Sequence, residues 1–130
     1  MSDLLRDGVL VGIGGFFGAL GRFLLSGWIG ARVEQFPAGT LAVNVIGSLA
    51  IGFLAGAAGS RLLASGAVRL LVMAGFLGAF TTFSAFSYES VQLWQTGRWQ
   101  ALLANAGLNV GGCLLATAAG MAAARMLPST

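Results

Sequence analysis

The chain has 130 residues, of which 57% are hydrophobic, 21 are glycine and only 8% are charged. Soluble domains carry roughly 25% charged residues, and seven basic plus four acidic side chains cannot clothe a water-facing surface, so the chain reads as an integral membrane protein. With no histidine and Cys113 as its single cysteine, a Cys/His metal site, an intrachain disulfide and a histidine-activated nucleophile are excluded.

A membrane helix needs about 20 largely apolar residues. Residues 35–60 and 99–124 run without a charge, 70–88 does the same, and the first apolar run is interrupted only by Arg22. The pattern predicts an all-α membrane protein with four spans, about 4–31, 39–60, 68–95 and 99–127, in one membrane domain covering 1–130. The joints hold the remaining charges and turn formers: Arg32-Val33-Glu34 before Pro37, Arg61 to Gly66, and Thr96-Gly97-Arg98. The segments are too long for strands and show no period-two alternation. Asp3, Arg6 and Asp7 in the first turn, with no small-residue cleavage site after the apolar run, argue against a cleavable signal.

Small or polar residues recur every fourth position: Gly14, Gly18, Arg22, Ser26 and Gly30; then Thr40, Asn44, Ser48, Gly52 and Gly56; then Asn105, Asn109, Cys113 and Thr117. Residues four apart share a helical face, and small ones let helices approach closely. One chain offers few partner faces for so many stripes, which predicts an oligomer. With four spans, Arg6, Arg61, Arg69 and Arg125 lie on one side and Arg32 and Arg98 on the other. This bias is weak enough to permit insertion in both directions. All seven basic residues are scattered arginines, which reads as membrane-flanking anchors and gives no nucleic-acid surface.

The most unusual segment is Gly75-Phe76-Leu77-Gly78-Ala79-Phe80-Thr81-Thr82-Phe83-Ser84-Ala85-Phe86-Ser87-Tyr88-Glu89. Adjacent β-branched threonines in glycine-rich sequence weaken a helix, and a helix broken inside a membrane frees carbonyls that can line a cavity or coordinate an ion. The competing reading is a continuous helix whose hydroxyls bond back to their own carbonyls. Phe76, Phe80, Phe83 and Phe86 follow helical spacing, as lipid-facing or core residues do. Aromatic ring edges are also electropositive and favour a dehydrated anion. Asn44, Ser84, Asn105 and Asn109 are donors that such an anion needs, or else interhelical glue. Arg22 and Glu89 are the deepest charges in their spans, and intramembrane charges face a cavity or a partner. Arg22 either snorkels or draws anions into a vestibule, and Glu89 either caps or pairs with an arginine. No pair of intramembrane carboxylates is present to relay protons.

Gly-Ala-Leu-Gly-Arg at 18–22, Gly-Thr-Leu-Ala-Val-Asn-Val-Ile-Gly at 39–47 and the 75–89 segment occur in the order and helices of a known family. Over essentially its whole length the chain resembles the Fluc-type (CrcB family) bacterial fluoride channels. The resemblance implies a dual-topology antiparallel homodimer of four-helix subunits with a broken third helix. It implies two fluoride pores at the dimer interface, and a structural Na+ held by the backbone carbonyls of Gly78 and Thr81. In the pore it places Phe83 and Phe86, which meet fluoride through their ring edges, the second-helix Asn44, and Ser84 and Thr117 of a hydroxyl track. Asn105 and Asn109 take fourth-helix pore positions that vary in the family. Arg22 falls near the aqueous vestibule and Glu89 near the pore end. Three positions depart from the usual pattern: Ala79 where glycine is common, Ala85 where a hydroxyl is, and Cys113 where serine is.

The function expected is passive, fluoride-selective export across a bacterial cytoplasmic (inner) membrane, with no enzymatic step. The partners expected are fluoride, a second copy and the lipid bilayer. A small dual-topology drug/proton antiporter is the first alternative, although it needs a first-helix carboxylate and that helix has none beyond Asp7. A non-transporting membrane assembly subunit is the second.

Overall fold

The computed structural model describes residues 1–57 and 65–126, and among these every regular element is helical. Helix α1 spans Ser2–Gly30 and α2 spans Ala38–Gly56. The third span, Gly66–Gln95, consists of α3 (66–80) and α4 (Phe83–Gln95), and the fourth is α5 (Trp99–Arg125). All four spans are long and apolar enough to cross a membrane, with mean hydropathies from 1.4 to 1.8. At 1.5 Å per residue even the 19 residues of α2 cover a hydrocarbon core of about 30 Å. The first span starts at Ser2, with Asp3 in its first turn, where a negative charge favours the helix dipole. The expected second span runs on to residue 60; its last stretch, Arg61 of the charge count and Leu127 at the expected end of the fourth span lie outside the described residues.

Glycine stripes determine which helices meet. Gly14 and Gly18 of α1 are buried against α3, where a methyl group would overlap the carbonyl oxygens of Leu71 and Phe76. Gly52 of α2 and Gly120 of α5 face each other's helices in the same way, against the carbonyls of Thr117 and Leu49. The α1–α3 and α2–α5 pairs are accordingly the two most extensive in the fold. The stripes that predict an oligomer are therefore largely accommodated within one chain.

Two stretches take wider π turns, Arg69–Leu77 in the third span and Leu108–Gly112 in the fourth. A row of residues four apart drifts about 40° per step in an ideal α-helix, and a wider turn takes back part of that drift. The π turn between Asn105 and Cys113 keeps Asn109, Cys113 and Thr117 on one wall.

Large apolar side chains point outward along α1, including Phe16, Phe17, Phe23, Leu24 and Trp28. The interior is small and unusually polar: Thr40, Asn44, Asn105 and Asn109 are buried beside Val43, Leu77, Phe80, Phe86 and Leu93. At one end Arg32 lies over the Trp28 ring at 3.7 Å, and Arg98 ties the loops together by donating to the Gln35 carbonyl.

Candidate functional site

The third span breaks at Thr81 and Thr82, whose backbones are extended (φ −86°, ψ 157° and φ −151°, ψ 116°). Helix α4 then restarts with Thr82 as its N-cap, the Oγ1 accepting from the Ala85 N–H at 3.2 Å. Back-bonding hydroxyls do occur, Thr81 to the Leu77 carbonyl and Ser87 to that of Phe83, but the helix is not continuous.

A break deep in a span leaves backbone groups that must find partners. Asn44 meets those of Thr82: its Oδ1 accepts from the Thr82 N–H at 2.8 Å and its Nδ2 donates to the Thr82 carbonyl at 3.1 Å. Arg22 takes another, donating from Nε to the Ala79 carbonyl at 3.0 Å. Among the described residues no hydrogen bond reaches the carbonyls of Gly78 or Thr81.

Behind the break the asparagines join across helices. Asn44 Nδ2 donates to Asn109 Oδ1 at 2.9 Å, Asn109 Nδ2 to Asn105 Oδ1 at 2.9 Å, and Asn105 Nδ2 to Ser90 Oγ at 3.1 Å. In this structure they are interhelical glue, and Asn105 is 0% exposed.

In front of the break lies a cleft of about 460 Å³. Its wall carries Asn44, Thr82, Phe83, Phe86, Asn109 and Thr117, and Gly78, Thr81, Ser48 and Cys113 also border it. The Phe83 and Phe86 rings stand 5.3 Å apart at 57°, with Phe83 74% exposed and Phe86 buried beneath it. Phe76 and Phe80 form a separate stacked pair on the other side of the break, so the four rings do not make one stripe. Ser84 lies just off the cleft wall and bonds the Thr82 hydroxyl at 3.1 Å. One hydroxyl hydrogen is used in that mutual bond and one remains for a ligand. Thr117 donates to the Ser48 carbonyl at 3.2 Å.

Glu89 lies apart from this cleft. It borders a second cavity of about 530 Å³ between the loops, together with Glu34, Gln92 and Arg98. Its Oε1 accepts from the Thr40 hydroxyl at 2.6 Å, and its buried Oε2 has no partner among the described residues. Its partner among the described residues is thus a threonine and not an arginine.

Sequence reasoning placed Thr82 at the break without its role as a helix cap, and it missed the pairings of Thr40 and Ser90. Thr82 carried a usable signal, a threonine just ahead of a new helix, whereas nothing in the sequence pairs Thr40 with Glu89 or Ser90 with Asn105. Ala79 contributes its carbonyl to Arg22, a role that any residue can fill. Ala85 contributes a backbone N–H to the cap, so the hydroxyl missing there leaves the local hydrogen bonding intact.

The sequence model of the family described as CrcB-like protein, Camphor Resistance (CrcB), matches residues 9–121. The chain belongs to the CrcB family. It is 50% identical over 113 residues to the fluoride-specific ion channel FluC of Sulfurovum sp., covering 85% of this chain and 87% of that one. It is 43% identical over 118 residues to the FluC of Sorangium cellulosum, covering 90% and 93%. FluC 1 of Geobacillus kaustophilus is 50% identical over 91 residues, covering 70% and 74%. These CrcB-family relatives are named as ion channels and not as enzymes, in keeping with four helices long and apolar enough to cross a membrane and a cleft that carries amide and hydroxyl groups among apolar ones.

Proposed function

We propose that this protein is a fluoride-selective channel of the bacterial inner membrane, through which cytoplasmic fluoride leaves passively. The observation that carries the reading is the cleft at the break, where two aromatic rings stand beside amide and hydroxyl groups on an otherwise lipid-compatible surface. A dehydrated fluoride ion needs hydrogen-bond donors and electropositive ring edges in place of water. Phe83 and Phe86 supply the edges. The Ser84–Thr82 hydroxyl pair supplies a free donor, Thr117 extends the hydroxyl track, and Asn44 and Asn109 complete the polar wall. On this reading Arg22 stands toward the vestibule and Glu89 toward the pore end. In acidic surroundings fluoride enters the cell as neutral HF and ionises in the more alkaline cytoplasm. An inside-negative potential then favours its exit by about 2.3 kcal/mol per 100 mV.

The working unit we propose is an antiparallel homodimer of oppositely inserted copies, with two pores along the interface. Phe83 is 74% exposed beside a largely apolar cleft that also carries amide and hydroxyl groups, and a second copy covers those polar groups where lipid offers them no partner. The unpartnered carbonyls of Gly78 and Thr81 are hard oxygen donors that fit Na+. Among the described residues no cluster of three or more His, Cys, Asp or Glu side chains offers an alternative metal site. Two carbonyls do not complete a coordination shell, and a twofold-related copy doubles them, so the bound cation supplies a charge that ties the two breaks together.

The test is fluoride efflux from liposomes, read with a fluoride electrode beside a chloride control, for the wild type, Phe83→Ile and Asn44→Asp with oligomer integrity checked. Fluoride release without chloride release, lost in both intact variants, is the expected result. No fluoride release from intact wild type in Na+ overturns the channel, and release unaffected by either substitution overturns the pore assignment.

A further inference from the structure

Asn44, Asn109 and Asn105 form a chain of buried amides with a single direction. The Thr82 N–H can only donate and the Thr82 carbonyl can only accept, and Asn44 is the partner of both among the described residues. That fixes the Asn44 amide in one orientation, with its remaining Nδ2 hydrogen aimed at Asn109. Asn109 must then present Oδ1 to Asn44, which turns its Nδ2 toward Asn105 Oδ1 and the Asn105 carbonyl. Asn105 in turn must present Oδ1 and reach Ser90 with Nδ2. Turning Asn44 or Asn109 over would set N–H against N–H at one joint and oxygen against oxygen at the next, and turning Asn105 over would set N–H against N–H at Asn109. The direction is lost only at Ser90, whose hydroxyl can donate or accept.

We propose that this ladder holds the helix break in register, so that Asn105 and Asn109 are positioning residues acting on Thr82 through Asn44; its consequence for transport rests on the fluoride reading above. Three observations support the role. Both Nδ2 hydrogens of Asn44 and both of Asn109 already have protein acceptors, which leaves none for an anion. Asn105 is fully buried and does not border the cleft. The Thr82 N–H, at the N-cap of α4 that places Phe83 and Phe86, is held by the Asn44 amide in place of a helical carbonyl.

The experiment compares Asn105→Leu, Asn105→Asp and Ser90→Ala in the full chain, in lipid bilayers. Hydrogen exchange is followed at the Thr82 amide by NMR on threonine-labelled protein, and fluoride efflux is measured alongside. Leucine removes the acceptor for Asn109, and the Thr82 amide is expected to exchange about tenfold faster while amides of α1 and α2 keep their rates. Fluoride efflux falls with it, also by about tenfold. Aspartate keeps an oxygen for Asn109, and the Ser90 hydroxyl turns round to donate to it, so Thr82 protection is expected within about threefold of wild type. Ser90→Ala, which leaves all three asparagines in place and removes only the acceptor for Asn105, speeds Thr82 exchange in the same direction as leucine and covers the case in which Asn105→Leu does not fold. Unchanged Thr82 exchange in both Asn105→Leu and Ser90→Ala overturns the ladder. So does an aspartate more damaging than leucine, the order expected if Asn105 merely packs or gives its N–H to fluoride. Exchange that follows the predicted order in a wild type that passes no fluoride upholds the ladder and removes the channel reading instead.

Discussion

Arg22, in the last third of the first span, donates its Nε–H to the carbonyl oxygen of Ala79, 57 residues further along the chain. A guanidinium in a membrane interior demands acceptors, and the end of α3 has carbonyls that the break leaves without helical partners. Each feature is unfavourable alone and they satisfy one another. The charge thus serves the break and is not simply directed toward water.

Replacing Arg22 with methionine keeps the bulk and removes the donor, leaving the Ala79 carbonyl bare. Charge-assisted hydrogen bonds contribute about 1.5–3 kcal/mol, so Arg22→Met is expected to lose about 2 kcal/mol of stability. Arg22→Gln, which retains an N–H donor, is expected to lose less. Thermal unfolding in detergent, followed by far-UV circular dichroism, gives the order; equal losses for both variants would show that the bond to Ala79 contributes nothing.

Thr82 caps α4 through Oγ1 and orders Ser84 through the same atom. Thr82→Val conserves shape and removes both contacts, with an expected cost of about 1 kcal/mol, the usual worth of an N-cap. Thr82→Ser retains the oxygen and is expected to stay within about 0.5 kcal/mol of wild type. Fluoride efflux should rank the same way, because the cap orients the turn that holds Phe83. A valine variant with wild-type stability and wild-type efflux contradicts this assignment.

The spans were legible from uncharged runs of membrane length, and the break from two β-branched threonines among glycines. The glycine stripes marked close approaches at Gly14, Gly18, Gly52 and Gly56 but not at Gly30, and not between which copies, because spacing says that a face is small and not what lies opposite. The cleft residues were legible as chemical types. What could not be read is which donor meets which acceptor: Arg22 with Ala79, Asn44 with Thr82 and Thr40 with Glu89 are separated by 57, 38 and 49 positions. Such pairings depend on the rotation of each helix about its axis. The π turns at Arg69–Leu77 and Leu108–Gly112 shift that rotation without any distinctive sequence signal.

Close approach gives a sharp contrast among glycines of one helix. At Gly18 an added methyl would meet the Phe76 carbonyl, whereas at Gly12 nothing lies within 4 Å. Backbone cannot retreat as a flexible side chain can, so Gly18→Ala is expected to cost about 2 kcal/mol or more by overpacking. Gly12→Ala is expected to be neutral or stabilising by up to about 1 kcal/mol, since alanine is the better helix former. Detergent unfolding midpoints of the two variants test this directly, and similar midpoints would show that α1 and α3 do not pack at the separation described.

Sodium removal tests the carbonyl pair at the break. On the proposed reading, the Gly78 and Thr81 oxygens of two copies share one cation, so replacing Na+ with N-methylglucamine on both sides of the membrane removes the charge that offsets their mutual repulsion. Fluoride efflux is then expected to fall at least about tenfold, the loss of roughly one charge-assisted contact, and to recover when Na+ is restored. Thr81→Val distinguishes the backbone from the side chain: the hydroxyl donates to the Leu77 carbonyl, and on this reading the cation is held by the backbone alone, so this variant should keep its Na+ dependence. Efflux indifferent to Na+ on both sides of the membrane removes the cation from the carbonyls. Loss of Na+ dependence in Thr81→Val would assign the cation to the hydroxyl.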